Sequence, residues 1–123
     1  MIKEISVEEA IKMLKGDENV ILLDVRTQQE YYTEHVKGSK WIPLDQVSYR
    51  LQELDKKKAI FACFCRTGHR SFKACEFLKE NGFEELHNVK GGIEAWKQAG
   101  YETVKNSMEE YQGSFASVNS GLN

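Results

Sequence analysis

The chain of 123 residues carries 17 Lys and Arg against 19 Asp and Glu, a formal net charge of −2, with 41% hydrophobic and 29% charged residues. That length makes one domain with a core of its own, and the near-neutral balance without a basic stripe leaves nucleic acid out as an implied partner. No apolar run is long enough to cross a bilayer, Met1-Ile2-Lys3-Glu4 does not read as a secretory leader, and three cysteines make no disulfide framework, so the cytoplasm is the expected compartment.

Ser6-Val7-Glu8-Glu9 is a capping box with Ile5 apolar just before it, and predicts a helix that buries Ala10, Ile11 and Leu14 and ends near Gly16. Val20-Ile21-Leu22-Leu23 is a continuous apolar run, the mark of a strand covered on both faces. Thr27-Gln28-Gln29-Glu30 is a second capping box, opening a short helix through about Glu34. Trp41-Ile42-Pro43 reads as a short strand, and a helix after Asp45 is expected to use Val47, Leu51 and Leu54 at helical spacing. Ala59 to Cys63 reads as a buried strand, followed by a loop and then a helix over 71–81 closed by Gly82. Leu86-His87-Asn88-Val89 is a last short strand, and Gly91-Gly92 turns into a helix carrying Ile93 and Trp96, with Gly100 as its stop. Alternating β and α elements with buried strands define an α/β fold, a parallel sheet with helices on both faces. The domain is expected over 1–104, and 105–123, rich in Ser, Asn and Gly with Met108, Tyr111 and Phe115 isolated, reads as a flexible polar tail.

The chemistry is concentrated in the loop Cys65-Arg66-Thr67-Gly68-His69-Arg70. Cys65 stands at the carboxyl end of a parallel strand, where ligands bind in such sheets. The first N–H groups of the following helix have no internal partners, and with the helix dipole and two arginines they favour thiolate over thiol. Gly68 allows the tight turn such a cradle needs. A thiolate held in an anion-binding cradle is a nucleophile for covalent group transfer.

Arg70, at the helix start, is expected to brace the loop, and Arg66 and His69 to face the mouth. Asp24, Arg26 and Glu30 read as an ion-paired brace beneath the site. His35 is expected to make a turn-stabilising hydrogen bond, and Trp41 and Trp96 to be core aromatics. Cys63, in the apolar strand, and Cys75, beside Ala74, Phe77 and Leu78, read as core thiols rather than resolving partners. Cys63, Cys65 and His69 match no structural zinc spacing, and no metal is expected.

Four motifs follow one another in order: Asp24-Val25-Arg26 with Glu30-Tyr31; His35-Val36-Lys37-Gly38-Ser39 leading to Ile42-Pro43; Cys65-Arg66-Thr67-Gly68-His69-Arg70-Ser71; and Gly91-Gly92-Ile93 with Trp96. In these, over residues 1 to about 104, the chain resembles the single-domain rhodaneses, the sulfurtransferase family. The resemblance implies a five-stranded parallel sheet flanked by helices. It also implies that Cys65 takes a sulfane sulfur from a small anionic donor such as thiosulfate or polysulfide, holds it as a persulfide, and passes it to a thiol, to cyanide or to a protein acceptor. No metal or organic cofactor enters that chemistry.

Two competing readings are weighed. Cysteine phosphatases of related fold resemble Cys-x5-Arg, but six positions after Cys65 stands Ser71 and six after Cys63 stands His69, and the loop has no acid to protonate a leaving oxygen. A rhodanese-like interaction or sulfur-carrier module with little turnover is the non-enzymatic alternative. Modules that only bind commonly lack the cysteine, which is present here with both loop arginines.

Overall fold

A computed structural model describes residues 2–15 and 19–105. In chain order these form β1 (Ile2–Ile5), α1 (Val7–Leu14), β2 (Val20–Asp24), α2 (Gln28–Thr33), β3 (Glu34–Val36), β4 (Lys40–Trp41), two 3-10 turns (Leu44–Tyr49 and Leu51–Glu53), β5 (Ala59–Cys63), α3 (His69–Glu80), β6 (Leu86–Val89), α4 (Gly92–Gln98) and β7 (Thr103–Lys105). Five strands pair in parallel in the order β1-β6-β5-β2-β4. The register sets Ile2 beside Leu86, Ala62 beside Asn88 and Asp24 beside Cys63.

The centre of the sheet follows from β5, whose five residues are all buried. Successive side chains point to opposite faces. Ile60 and Ala62 enter a core built with Ala74, Cys75 and Leu78 of α3, with Val47 of the first 3-10 turn and with Leu54, which closes the second. Ala59, Phe61 and Cys63 enter a second core with Val7 and Ala10 of α1 and Trp96 of α4. The sheet is therefore covered on both faces, the arrangement its apolar strand predicts. No helix of the described residues is long and apolar enough to cross a membrane.

Both capping boxes form. Ser6 Oγ accepts from the Glu9 N–H while Glu9 accepts from the Ser6 N–H, and Thr27 and Glu30 do the same. The expected stop of α1 at Gly16 and the tail from 106 onward lie outside the described residues.

Elsewhere the chain departs from its local pattern. The helix expected after Asp45 is two 3-10 turns, closed by Gln46 N–H to Pro43 O, Arg50 N–H to Val47 O and Leu54 N–H to Leu51 O. Arg50, at φ −123°, breaks the run. Its guanidinium instead ties Gln46 to Glu53, and Val47 and Leu54 still reach the core. The short strand lies at Lys40–Trp41 rather than 41–43, because Pro43 has no N–H to extend the ladder. α3 starts at His69, two residues ahead of expectation. Three-residue strands are too short to show a period, and none was foreseen at Glu34–Val36 or Thr103–Lys105. These two pair antiparallel, Glu34 beside Lys105 and Val36 beside Thr103. Ile2–Ile5, an edge strand, also gave no pattern of its own.

Candidate active site

β5 ends at Cys63, and Phe64 then takes φ 78°, a left-handed value unfavourable for an aromatic residue. Packing holds it there: the Phe64 ring lies 5.5 Å from that of Trp96, with the Arg26 guanidinium over it at 5.9 Å. The turn carries Cys65 out of the sheet to a place beneath the start of α3. Gly68 caps that helix with φ 83° and no side-chain hydrogen bond, which leaves the first-turn N–H groups free. A β-carbon at Gly68 would stand 3.1 Å from Lys90 Cγ and 3.3 Å from Asn88 Nδ2, so crowding and backbone angle both call for glycine.

Cys65 is 3% exposed, with its Sγ 3.9 Å from Thr67 Oγ1. Burial pushes its thiol pKa up. The Arg70 N–H and guanidinium, with the Ser71 and Gly68 N–H groups, more than offset this and bring it down to about 7. The other two thiols move the opposite way. Burial, with Asp24 adding to it, pushes Cys63 well up, and its Sγ donates to Phe61 O at 3.3 Å. Burial pushes Cys75 up to about 12. Both are core residues, as their sequence surroundings predict.

The expected brace of Asp24, Arg26 and Glu30 divides in two. Arg26 binds Asp24 through Nε at 3.0 Å and Nη2 at 2.9 Å, and Nη2 also donates to Glu34 O at 2.8 Å, all buried. Glu30 belongs to the loop instead: its two oxygens accept from Arg70 Nη1 and Nη2 at 2.6 and 3.0 Å. Chiefly through that hydrogen bond, the Glu30 carboxyl is lowered to about 2. Arg70 is thus joined to both Glu30 and Cys65. Trp41 is not a core aromatic. It is half-buried, stacks on Tyr31 at 4.9 Å and donates Nε1–H to Arg26 O at 2.9 Å, securing the brace from outside. Trp96 is fully buried, as expected. His35 bonds Tyr31 O through Nδ1 at 3.0 Å and stacks on the Tyr31 ring.

A cleft of about 380 Å³ opens beside the loop, walled by Arg26, Glu30, Arg66 and Arg70 on one side and by Gly91, Gly92, Ile93 and Glu94 on the other, with Phe64 at its floor. A β-carbon at Gly92, φ 66°, would come within 3.3 Å of Arg66 Cα, so glycine there lets α4 approach the loop. The charges of this cleft are more evenly matched than the sequence suggests. Asp24 matches Arg26 and Glu30 matches Arg70, whereas Arg66 has no ionic partner among the described residues. Arg66 is the unmatched cation of the cleft, whose opposite wall carries Glu94, itself 3.6 Å from Lys97. Thr67 and His69 are exposed, and His69 does not wall the cleft. Among the described residues, no three His, Cys, Asp or Glu side chains gather as a metal set would.

Two residues at the site were not singled out from sequence. Ser71 and Asn88 are fully buried, hydrogen-bonded to each other, and both reach the Gly68 carbonyl. The signal was present in Asn88, an amide in a buried strand that has to find partners.

The sequence matches the family described as Rhodanese-like domain over residues 6–99, and the chain belongs to that family. It is 32% identical over 104 residues to a sulfurtransferase of Allochromatium vinosum, covering 85% of this chain and 96% of that protein. It is 37% identical over 95 residues to the putative sulfur carrier protein YrkF of Bacillus subtilis, covering 77% of this chain and about half (51%) of that protein. Among solved structures, a rhodanese-like domain protein from Staphylococcus aureus superposes with a TM-score of 0.69 at 33% identity, over 81% of this chain and 96% of that one.

Proposed function

We propose that this chain is a sulfur-transfer module in which Cys65 takes up a sulfane sulfur and carries it as a persulfide. The observation that carries the reading is the contrast among the three thiols. Cys65 alone is brought down to about 7, and the groups that do it are N–H donors converging from Gly68, Arg70 and Ser71. With thiosulfate as donor, the thiolate attacks the outer sulfur, a new S–S bond forms, the old one breaks, and sulfite leaves with the electron pair. The terminal sulfur left on Cys65 is anionic, and the same N–H groups suit it as they suit the thiolate. An acceptor thiolate or cyanide then attacks that terminal sulfur and releases the Cys65 thiolate. Two steps through a covalent intermediate give ping-pong kinetics where turnover occurs.

Kinship to a putative sulfur carrier protein and the matched charges of the cleft favour the form of this reading with little turnover, in which a loaded protein hands its sulfur to a protein acceptor. Free dianions are drawn by a single unmatched arginine, a modest attraction in salt. Incubation with thiosulfate followed by intact-mass measurement tests the common core of both forms. The expected result is a gain of one sulfur that is lost in Cys65→Ser and kept in Cys63→Ala and Cys75→Ala. Sulfur on the Cys65→Ser protein, or none on the wild type with either thiosulfate or polysulfide, overturns the reading. Adding cyanide with thiosulfate in excess separates the two forms: thiocyanate release over many turnovers marks a transferase, and release that stops near one equivalent marks a carrier. Hydrolysis of aryl phosphates that depends on Cys65 would move the chain to phosphoryl chemistry; none is expected.

A further inference from the structure

The Gly68 carbonyl accepts from Phe72 N–H at 2.9 Å as the first turn of α3 and from Asn88 Nδ2 at 3.1 Å, and Ser71 Oγ stands 3.2 Å from it. Ser71 has one hydroxyl proton. With Asn88 Nδ2 turned to Gly68, the amide oxygen of Asn88 faces Ser71 Oγ and takes that proton, so the three groups form a closed ring of mutually fixed orientation. Asn88 is 0% exposed and stands on β6 between Glu4 of β1 and Ala62 of β5, a rigid base.

We propose that Asn88 is a positioning residue for sulfur chemistry at Cys65, acting through the Gly68 peptide and Ser71 to aim the N–H groups at the start of α3. The argument is geometric. A peptide unit is planar and trans, so its carbonyl and its N–H point in opposite directions. Holding the Gly68 carbonyl along the axis of α3 turns the His69 N–H the other way, out of the helix start. It also fixes the pitch of the first turn, and with it the Arg70 and Ser71 N–H groups that face Cys65. Gly68 needs such support. At φ 83° without a β-carbon it is the most pliable residue of the loop, and no capping side chain of its own restrains the helix start. The sheet supplies the restraint that the cap position lacks. Ser71 and Gly68 are both buried, so bulk water does not compete for these bonds in the folded protein.

This inference rests on the persulfide reading for its purpose, but its test does not depend on sulfur transfer. The rate of Cys65 alkylation by iodoacetamide, followed across pH by peptide mapping, reports the thiol midpoint directly. Asn88→Ala is expected to raise that midpoint by about one pH unit, the loss of roughly one well-aimed hydrogen bond to a charged group. Ser71→Ala, which removes the relay but leaves the Asn88 bond to Gly68, is expected to raise it by about half as much. Circular dichroism and melting establish that each variant is folded. If Asn88→Ala does not fold, Ser71→Ala decides by the same reading. A folded Asn88→Ala protein whose alkylation profile coincides with that of the wild type overturns the proposal and leaves Asn88 a structural residue only. A shifted midpoint in a protein that takes up no sulfur would sink the persulfide reading while leaving the positioning role intact.

Discussion

Arg66 and Arg70 lie four positions apart in one loop and are held differently. Arg70 is fixed by Glu30 and lowers the Cys65 thiol pKa, whereas Arg66 walls the cleft without an ionic partner among the described residues. Removing Arg66 takes away a mouth charge and little else. Arg66→Ala is therefore expected to raise the KM for thiosulfate by about fivefold at low salt, with a smaller change in kcat and a flatter dependence on ionic strength. Arg70→Ala removes a cation that favours the Cys65 thiolate and releases Glu30, so it is expected to lower kcat and raise the alkylation midpoint of Cys65. Steady-state rates at two salt concentrations, or single-load rates if turnover is absent, distinguish these patterns. Equal effects on every parameter would place Arg66 in the scaffold. At this scale the sequence was most readable where a residue's role is set by its immediate neighbours. Cys65 at a strand-to-helix junction and Cys63 within an apolar strand are of that kind. The choice of Arg70 over Arg26 as the partner of Glu30 depends on a contact forty positions away and leaves no local trace.

The clasp between Glu30 and Arg70 joins the start of α2 to the start of α3, so it has a consequence for whole elements. In the folded chain the Glu30 carboxyl is lowered from its ordinary 4.5 to about 2. A depressed acid stabilises the fold fully above its unfolded value and loses that contribution as pH falls toward the folded one. Arg70 stays charged throughout. Glu30→Gln should thus lower the melting temperature at pH 7, with the difference from wild type shrinking below about pH 4.5 and vanishing only below about pH 2. The pair is more than a third exposed, so the effect at pH 7 is held by screening to about 1 kcal/mol or less. A gap between the two proteins that stays at its pH 7 size on acidification to about pH 2 would show that Glu30 acts through packing. Helices α1 and α2 were legible because a capping box is a local agreement among four residues. The 3-10 turns were not, because Val47 and Leu54 satisfy the core from either a helix or a looser turn, and Arg50 decides between them through side-chain bonds to Gln46 and Glu53. The β3–β7 pair was illegible for a different reason: each strand exists only because the other lies beside it.

Across the whole molecule, the parallel sheet separates two cores that share the strands but not the helices. Leu78 lies in the core beneath α3, and Trp96 in the core beneath α1 and α4, both fully buried. Leu78→Ala is expected to cost about 3 kcal/mol and Trp96→Ala about 4 kcal/mol, from lost burial and the cavities left behind. Sites on opposite faces of a sheet share no contacts, so the double variant should fall within about 0.5 kcal/mol of the sum in urea denaturation. A larger coupling would mean that the sheet transmits strain between its faces.

The pairing of β1 with β6 has a consequence for how the chain is made. Ile2 finds its partner, Leu86, only about 84 positions later. At ordinary rates of translation the first strand waits on the order of 10 s before the residues it must bond have left the ribosome. The same strand that ends this wait brings Asn88, while the loop from Cys65 to Arg70 has been synthesised earlier and stands without its support. A nascent chain halted between Arg70 and Leu86 would therefore carry Cys65 with no floor beneath its loop. Under the positioning role proposed for Asn88, its thiol is expected to titrate as an ordinary cysteine until the sheet closes.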